Sequence, residues 1–154
     1  MKLYKLETKQ HINATLADCW DFFSSPKNLK VITPDYMGFE IIDGLEDTMY
    51  PGQIIQYYVK PVMGIPLKWV TEITQVRDKE YFIDEQRFGP YKIWHHKHFF
   101  NEVADGVEMR DVVHYGLPLG FLGRIAHRLF IKKQLKTIFE YRFQKVNKLF
   151  NGSV

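Results

Sequence analysis

The feature that most constrains this chain is a change of hydrophobic period near Pro118. From Gly38 to Tyr115, apolar residues recur at every second position, in runs broken by Gly, Pro and Asp. After Pro118, Leu122, Ile125, Leu129, Leu135, Ile138, Phe139, Val146, Leu149 and Phe150 recur three or four apart. A period of two describes strands with one buried face, and a period near 3.6 describes an amphipathic helix. The chain is therefore expected to build a sheet first and one helix of about thirty residues last.

The ends of the strand region refine this reading. Lys2 to Ile12 alternates, with Tyr4, Leu6, Thr8, Gln10 and Ile12 on one side and Lys5, Glu7, Lys9 and His11 on the other. Asn13 or Thr15 offers an N-cap, and Leu16, Cys19, Trp20 and Phe23 follow at helical spacing. Pro26 can open a second short helix, with Leu29 and Ile32 on its apolar side, before Pro34 stops it. Short strands follow at Phe39 to Ile42 and Gln53 to Lys60, then a turn at Pro61 to Pro66. Leu67 to Val76, Tyr81 to Phe88, Ile93 to Val103 and Val107 to Tyr115 complete the set. Connections this short impose an antiparallel meander, and strand twist curls it. A curled sheet needs a cover for its concave face, and the last helix is the element long enough to serve.

Composition enters where it separates a solid core from a lined one. Twelve Phe, nine Tyr and three Trp make 16% of 154 residues. That is ample apolar mass for one domain over 1–154, and it excludes a disordered chain. Trp69, Phe82, Phe88, Trp94, Phe100 and Tyr115 fall on strand positions expected to point inward, with Phe139 and Phe143 on the helix opposite. Rings so distributed favour a lined cavity. The single cysteine, Cys19, forbids an intrachain disulfide and sits at a core position. No leader or spanning segment is visible, so the expected location is cytoplasmic.

Charge is divided unevenly. From Pro118 onward there are eight bases and one acid, a balance of +7, whereas the first 117 residues carry 13 bases and 17 acids, a balance of −4. A basic helix suits either an anionic surface or a solvated face paired with an acidic body. No nucleic-acid motif accompanies it, so no nucleic acid is expected as a partner.

The last hairpin concentrates chemistry. With Asp105-Gly106 as a two-residue turn, Ala104 pairs with Val107. Phe100 then faces Asp111, His98 faces Val113, and His96 faces Tyr115. A three-residue loop, Ala104-Asp105-Gly106, competes with this register. One face collects Trp94, His96, His98, Phe100, Met109, Asp111, Val113 and Tyr115; being the more aromatic, it is placed inward. Four readings of His96, His98 and Asp111 stand together. They are metal ligation, general acid–base work with Asp111 orienting a ring, mutual hydrogen bonding in the interior, and anchorage of a ligand's polar end. Neither a metal nor a cofactor is assigned, because the sequence fixes no further ligand and holds no cofactor motif. Glu72 and Glu85 are expected across the Arg77–Glu80 turn on an exposed, charge-paired face with Arg87 and Lys68. Arg142 lies on or beside the helix stripe, where it either reaches a carboxylate such as Asp84 or Asp111 or extends to water.

Several of these segments resemble a known family in combination. They are Phe82-Ile83-Asp84-Glu85-Gln86, Gly89-Pro90-Tyr91, Trp94-x-His96-x-His98-x-Phe100 and Met109-x-Asp111-x-Val113-x-Tyr115. Pro118-x-Gly120 and Ile138-Phe139-x-Tyr141-Arg142 complete the pattern. Together they resemble the START/Bet v 1-like (SRPBCC) superfamily, in its bacterial ligand-binding branch, which includes polyketide cyclase/dehydrase-like proteins and some labelled cell-division inhibitors. The resemblance implies an α+β helix-grip fold: a curved antiparallel sheet of six or seven strands wrapped on a long C-terminal helix, with two short helices after the first strand. It also implies a hydrophobic cavity between sheet and helix for a lipid- or polyketide-like small molecule. The residues expected to line it are Trp69, Phe88, Trp94, His96, His98, Phe100, Asp111, Tyr115 and Phe139. The alternatives are a cofactor-independent cyclase, dehydratase or hydrolase using His96 or His98 with Asp111 and Tyr115, and a membrane-surface or protein-interaction module working through the basic helix.

Overall fold

Alternation carries the N-terminal segment into a strand, β1 (Leu3–Ile12), whose even-numbered side chains turn inward while Lys5, Glu7, Lys9 and His11 face solvent. The computed structural model describes residues 1–62 and 64–152. Thr15 caps α1 (Leu16–Phe23): its hydroxyl accepts the Asp18 N–H at 3.1 Å and donates to the Asp18 carboxylate at 2.7 Å. The buried face of α1 is Cys19, Trp20 and Phe23. The second short helix forms as a 3-10 turn at Pro26–Lys30, and another 3-10 turn follows at Asp35–Met37. Pro26 and Pro34 bracket too few residues for a lasting α-helix.

Six strands follow: β2 (Glu40–Asp43), β3 (Ile54–Val62), β4 (Ile65–Arg77), β5 (Tyr81–Phe88), β6 (Ile93–Val103) and β7 (Gly106–Gly116). All neighbours are antiparallel, in the spatial order β1-β7-β6-β5-β4-β3-β2. β3 and β4 extend into the stretch expected to be a turn at Pro61 to Pro66; Met63, at its centre, lies outside the described residues. On the exposed face Glu72 pairs with Glu85, and Arg87 bridges both carboxylates.

The last hairpin differs from the expected register. Val103 pairs with Gly106, so Ala104-Asp105 is the turn. His98 stands opposite Asp111, Phe100 opposite Met109, His96 opposite Val113 and Trp94 opposite Tyr115. The cause is Gly106, which joins the strand instead of the turn. Its φ is +148°, and a Cβ there would lie 2.2 Å from the Ile12 carbonyl oxygen on β1. Each pair moves by an even step, so the same side chains still face inward.

The C-terminal helix starts at α2 (Gly120–Ala126), passes a π-helical turn at His127–Ile131, continues as α3 (Lys132–Val146) and ends in a second π turn at Asn147–Asn151. Its far end is stitched to β1. Gln10 donates to the Phe143 carbonyl at 2.8 Å and to Asn147 at 3.1 Å, and Asn151 donates to the His11 carbonyl at 3.1 Å. The Asn13 N–H in turn donates to the Asn151 side chain at 2.7 Å.

The apolar stripe of this helix is only half used. Leu135, Phe139 and Val146 are buried, but Leu122, Ile125, Leu129 and Leu149 are exposed. The near end meets the sheet through His127, which stacks on Tyr4, and Leu119, which precedes the helix, has φ +63° and caps nothing with its side chain. Gly123 is held so tightly against Pro118 that a Cβ would lie 2.1 Å from its carbonyl oxygen.

Three apolar clusters fill the interior. One lies under α1 around Trp20, Phe23, Phe82 and Phe100; one lies along β3 and β4 around Tyr57, Val59, Trp69 and Ile73; one joins Val113 and Tyr115 to Leu135 and Phe139. Each such side chain removed from water contributes about 1.5–3 kcal/mol.

Candidate functional site

Between the sheet and α3 the clusters do not meet, and a cavity of about 260 Å³ remains. β3 and β4 supply Tyr57, Val59, Trp69 and Ile73 to its wall, and the helix supplies Leu135, Ile138 and Phe139. Tyr91 and Trp94 flank it from the approach to β6. Trp94 meets Trp69 edge-on at 5.4 Å and Tyr91 at 4.8 Å, so the rings fix one another. Burial pushes the phenols of Tyr57 and Tyr91 upward, keeping both neutral.

One part of this wall is polar. Asp84, His96, His98 and Arg142 all contribute to it, with Asp111 behind the imidazoles. His96 and His98 project from the same side of β6 with ring centroids 3.7 Å apart. His96 Nε2 lies 2.9 Å from Asp111 Oδ1, and His98 Nε2 lies 2.8 Å from Asp84 Oδ2. The remaining nitrogens close the figure: His96 Nδ1 is 3.6 Å from Asp84 Oδ2, and His98 Nδ1 is 2.9 Å from Asp111 Oδ1, out of line for a hydrogen bond. Two imidazoles therefore sit between two carboxylates, each ring addressing one carboxylate with each nitrogen.

The electrostatics follow from burial and this alternation. Burial alone would raise Asp111, but the Arg142 charge and the two imidazoles hold it well below the usual carboxylate range. Burial likewise opposes ionisation of Asp84, yet His98, His96 and Arg142 draw its pKa down. Burial disfavours the charged form of His98, and its two carboxylate partners overcome this, so its pKa rises. His96 is depressed by burial and by the neighbouring His98 charge. The two carboxylates thus favour the charged form of His98 over that of His96. Arg142 reaches inward: its guanidinium lies 5.9 Å from the Phe139 ring centroid and 6.0 Å from that of Phe23.

The structure separates the residues expected to line the cavity. Trp69, Trp94, His96, His98 and Phe139 do line it. Asp111 is buried behind the two histidines, and Phe100 packs away from them, edge-on to Trp20 at 5.5 Å. Tyr115 is buried on the far side, where its hydroxyl lies 2.9 Å from His127 Nε2. The Tyr115 hydroxyl is thus engaged by His127, and its ring lies 6.3 Å from that of Trp94 and 6.0 Å from that of Tyr91. Phe88 is a correction. It is 62% exposed, because a register shift leaves Arg87 without an opposite residue on β4 and sets Phe88 opposite Val70 on the outward side, where the ladder to β6 has already ended at Glu85–His95.

Sequence reading named Asp84 only as a carboxylate within reach of Arg142, did not single out His127, and left the direction of Arg142 open. Asp84 shares the parity of Phe82 on β5, so its inward direction was available from alternation. His127 is buried against Tyr4 at a centroid distance of 3.5 Å, and no local pattern signals that. Arg142 had two candidate directions and takes the inward one.

The sequence matches no known protein-family profile and no curated protein sequence. Solved structures do match closely in shape. Protein Ms6760 from Mycobacterium smegmatis is 16% identical over 94% of this chain and 89% of its own, with a TM-score of 0.69. Ara h 8.0201 is 14% identical over 94% and 98%, with a TM-score of 0.61. Major latex-like protein 151 from Panax ginseng is 8% identical over 96% and 97%, with a TM-score of 0.66. The chain has the Bet v 1-like helix-grip fold. At these identities the likeness carries the architecture and not the chemistry. Among the described residues no helix is long and apolar enough to cross a membrane.

Proposed function

We propose that the protein binds an apolar small molecule, lipid- or polyketide-like, with acceptor oxygens at one or both ends. The observation that carries this reading is a pair of buried donors on the cavity-lining residues. Trp69 Nε1 and Arg142 Nε have no hydrogen-bond partner among the described residues. Buried polar groups are nearly always satisfied, and leaving one unpaired costs about 1–3 kcal/mol. An occupant with apolar bulk would be desolvated against Tyr57, Trp69 and Ile138, while its oxygens accept from the indole and the guanidinium. Native mass spectrometry before and after organic extraction is the test. A co-purifying molecule that extraction removes is expected, with uptake of a hydrophobic fluorescent probe by the extracted protein. Ile138→Trp, which fills the cavity, should weaken the probe by about tenfold or more, equivalent to ~1.4 kcal/mol. A chain that is empty as purified and takes up no probe sinks the reading.

A second reading, docking at an anionic bilayer, is favoured by the near end of the C-terminal helix. Leu119, Phe121, Leu122, Leu129 and Phe130 are each more than 60% exposed. Arg124, Arg128, Lys132, Lys133 and Lys136 lie among them, and no acid occurs from Leu117 to Phe139. Apolar and basic side chains interleaved on one helix suit the headgroup region of a membrane. The same stretch lends Leu117 and Ile131 to the cavity wall, so a docked protein would hold its cavity beside the bilayer. Sedimentation with phosphatidylglycerol vesicles is expected to carry the protein down at low salt. Lys132→Glu/Lys133→Glu or Phe121→Ser/Phe130→Ser should leave it in the supernatant. Equal partitioning of parent and variants ends this reading.

A further inference from the structure

We propose that Asp84 Oδ2, His96 Nδ1 and His98 Nε2 form a binding site for a divalent first-row transition ion, opening on the cavity. These three side chains present donor atoms that all lie within 4.8 Å of one another. Asp84 Oδ2 is 2.8 Å from His98 Nε2 and 3.6 Å from His96 Nδ1. An ion with bonds of about 2.1 Å holds its donors about 3.0 Å apart at right angles and about 3.4 Å apart in a tetrahedron. The two separations from Asp84 bracket both values, and the two imidazole nitrogens lie within 4.8 Å of each other. Two imidazoles and one carboxylate are a donor set for iron, cobalt or zinc in the divalent state.

The surroundings are those of a prepared site. Asp111 places one oxygen 2.9 Å from His96 Nε2 and 2.9 Å from His98 Nδ1, the nitrogens turned away from Asp84. The Asp111 carboxylate holds the N–H of His96 on Nε2 and so leaves the lone pair of His96 Nδ1 directed at Asp84, while His98 already turns Nε2 to Asp84 at 2.8 Å. The sequence pointed to Asp111 as third ligand; the geometry makes Asp84 the ligand and Asp111 the orienting group. Without a metal, the 2.8 Å contact between Asp84 and His98 must hold a proton, and the ion takes that proton's place. His96 and His98 both line the cavity wall, so the remaining coordination positions face its interior.

The test uses the full chain, stripped with a chelator and titrated with Co²⁺ and with Zn²⁺. Co²⁺ is expected to give a visible d–d band that saturates at one equivalent, and Zn²⁺ should bleach it. Long-range ¹H–¹⁵N spectra with Zn²⁺ should then show the metallated nitrogen as Nδ1 in one buried histidine and Nε2 in the other. Asp84→Asn should weaken Co²⁺ by at least about 100-fold, and Asp111→Asn by about 10- to 100-fold. The wild-type titration decides even if a variant does not fold. No saturable band, or shifts confined to the partly exposed His11 and His95, overturns the proposal and leaves a proton-bridged network. So does a folded Asp84→Asn with undiminished affinity.

Discussion

Replacing Asp111 with alanine is expected to lower the free energy of unfolding by about 3–5 kcal/mol. The carboxylate stands between the two buried imidazoles, within 2.9 Å of a nitrogen on each, and Arg142 is the charge that most stabilises its ionised form. Removing it leaves an imidazolium and a guanidinium facing each other across a buried space with only Asp84 to compensate. For a chain of this length the loss corresponds to a fall in melting temperature of about 2–4 °C per kcal/mol. Asp111→Asn should lose less, because the amide oxygen still accepts from His96. Urea unfolding measures both, and an unchanged slope shows that the difference lies in stability and not in the extent of unfolding. An alanine variant within about 0.5 kcal/mol of the parent, the range of neutral surface changes, would show that the cluster is not electrostatically coupled.

The second large effect is apolar. Phe82 is 4% exposed, stacks on His98 at 4.1 Å and 20°, and meets Trp20 edge-on at 6.1 Å. Phe82→Ala is expected to cost about 3–5 kcal/mol, the transfer of a ring plus the void it leaves. It also frees one face of the His98 ring, so its effect and that of Asp111→Ala should not add. Phe88→Ala provides the contrast. It is the same residue type on the same strand at the same parity, yet it is largely exposed and should stay within about 0.5 kcal/mol of the parent. Equal losses at the two positions would contradict the burial difference between them.

These two phenylalanines also mark where sequence reading stops. Alternation shows which side of a strand a residue takes, and it placed Phe82, His96, His98 and Asp111 correctly on the concave face. It does not show where an extra residue enters a strand, and the one inserted at Arg87 is what turns Phe88 outward. The period change at Pro118 located the long helix, but a stripe of apolar residues does not say how much of it meets the sheet. Leu135 and Phe139 find partners; Leu122 and Leu129 do not. In the hairpin, Asp-Gly signalled the turn, while the close approach of Ile12, more than ninety residues away, decided which residues form it. Asp84 was legible in principle, since Phe82 two places earlier fixes its face. His127 was not, because its partners Tyr4 and Tyr115 come from the two strands that the chain brings together last.

That closing pair of strands has a kinetic consequence. β1 pairs along its whole length with β7, Leu3 with Gly116 through Ile12 with Val107, and Asn151 then bonds back to His11. β1 therefore waits for about a hundred further residues to be made before its ladder with β7 can form. Contacts between such distant residues require loop closure before they stabilise anything, and domains dominated by them fold in milliseconds to seconds. Until β7 arrives, β1 is a short alternating strand whose outward side chains, Lys5, Glu7 and Lys9, keep it from pairing with other copies. The charges that look like ordinary surface in the finished protein are its protection during synthesis.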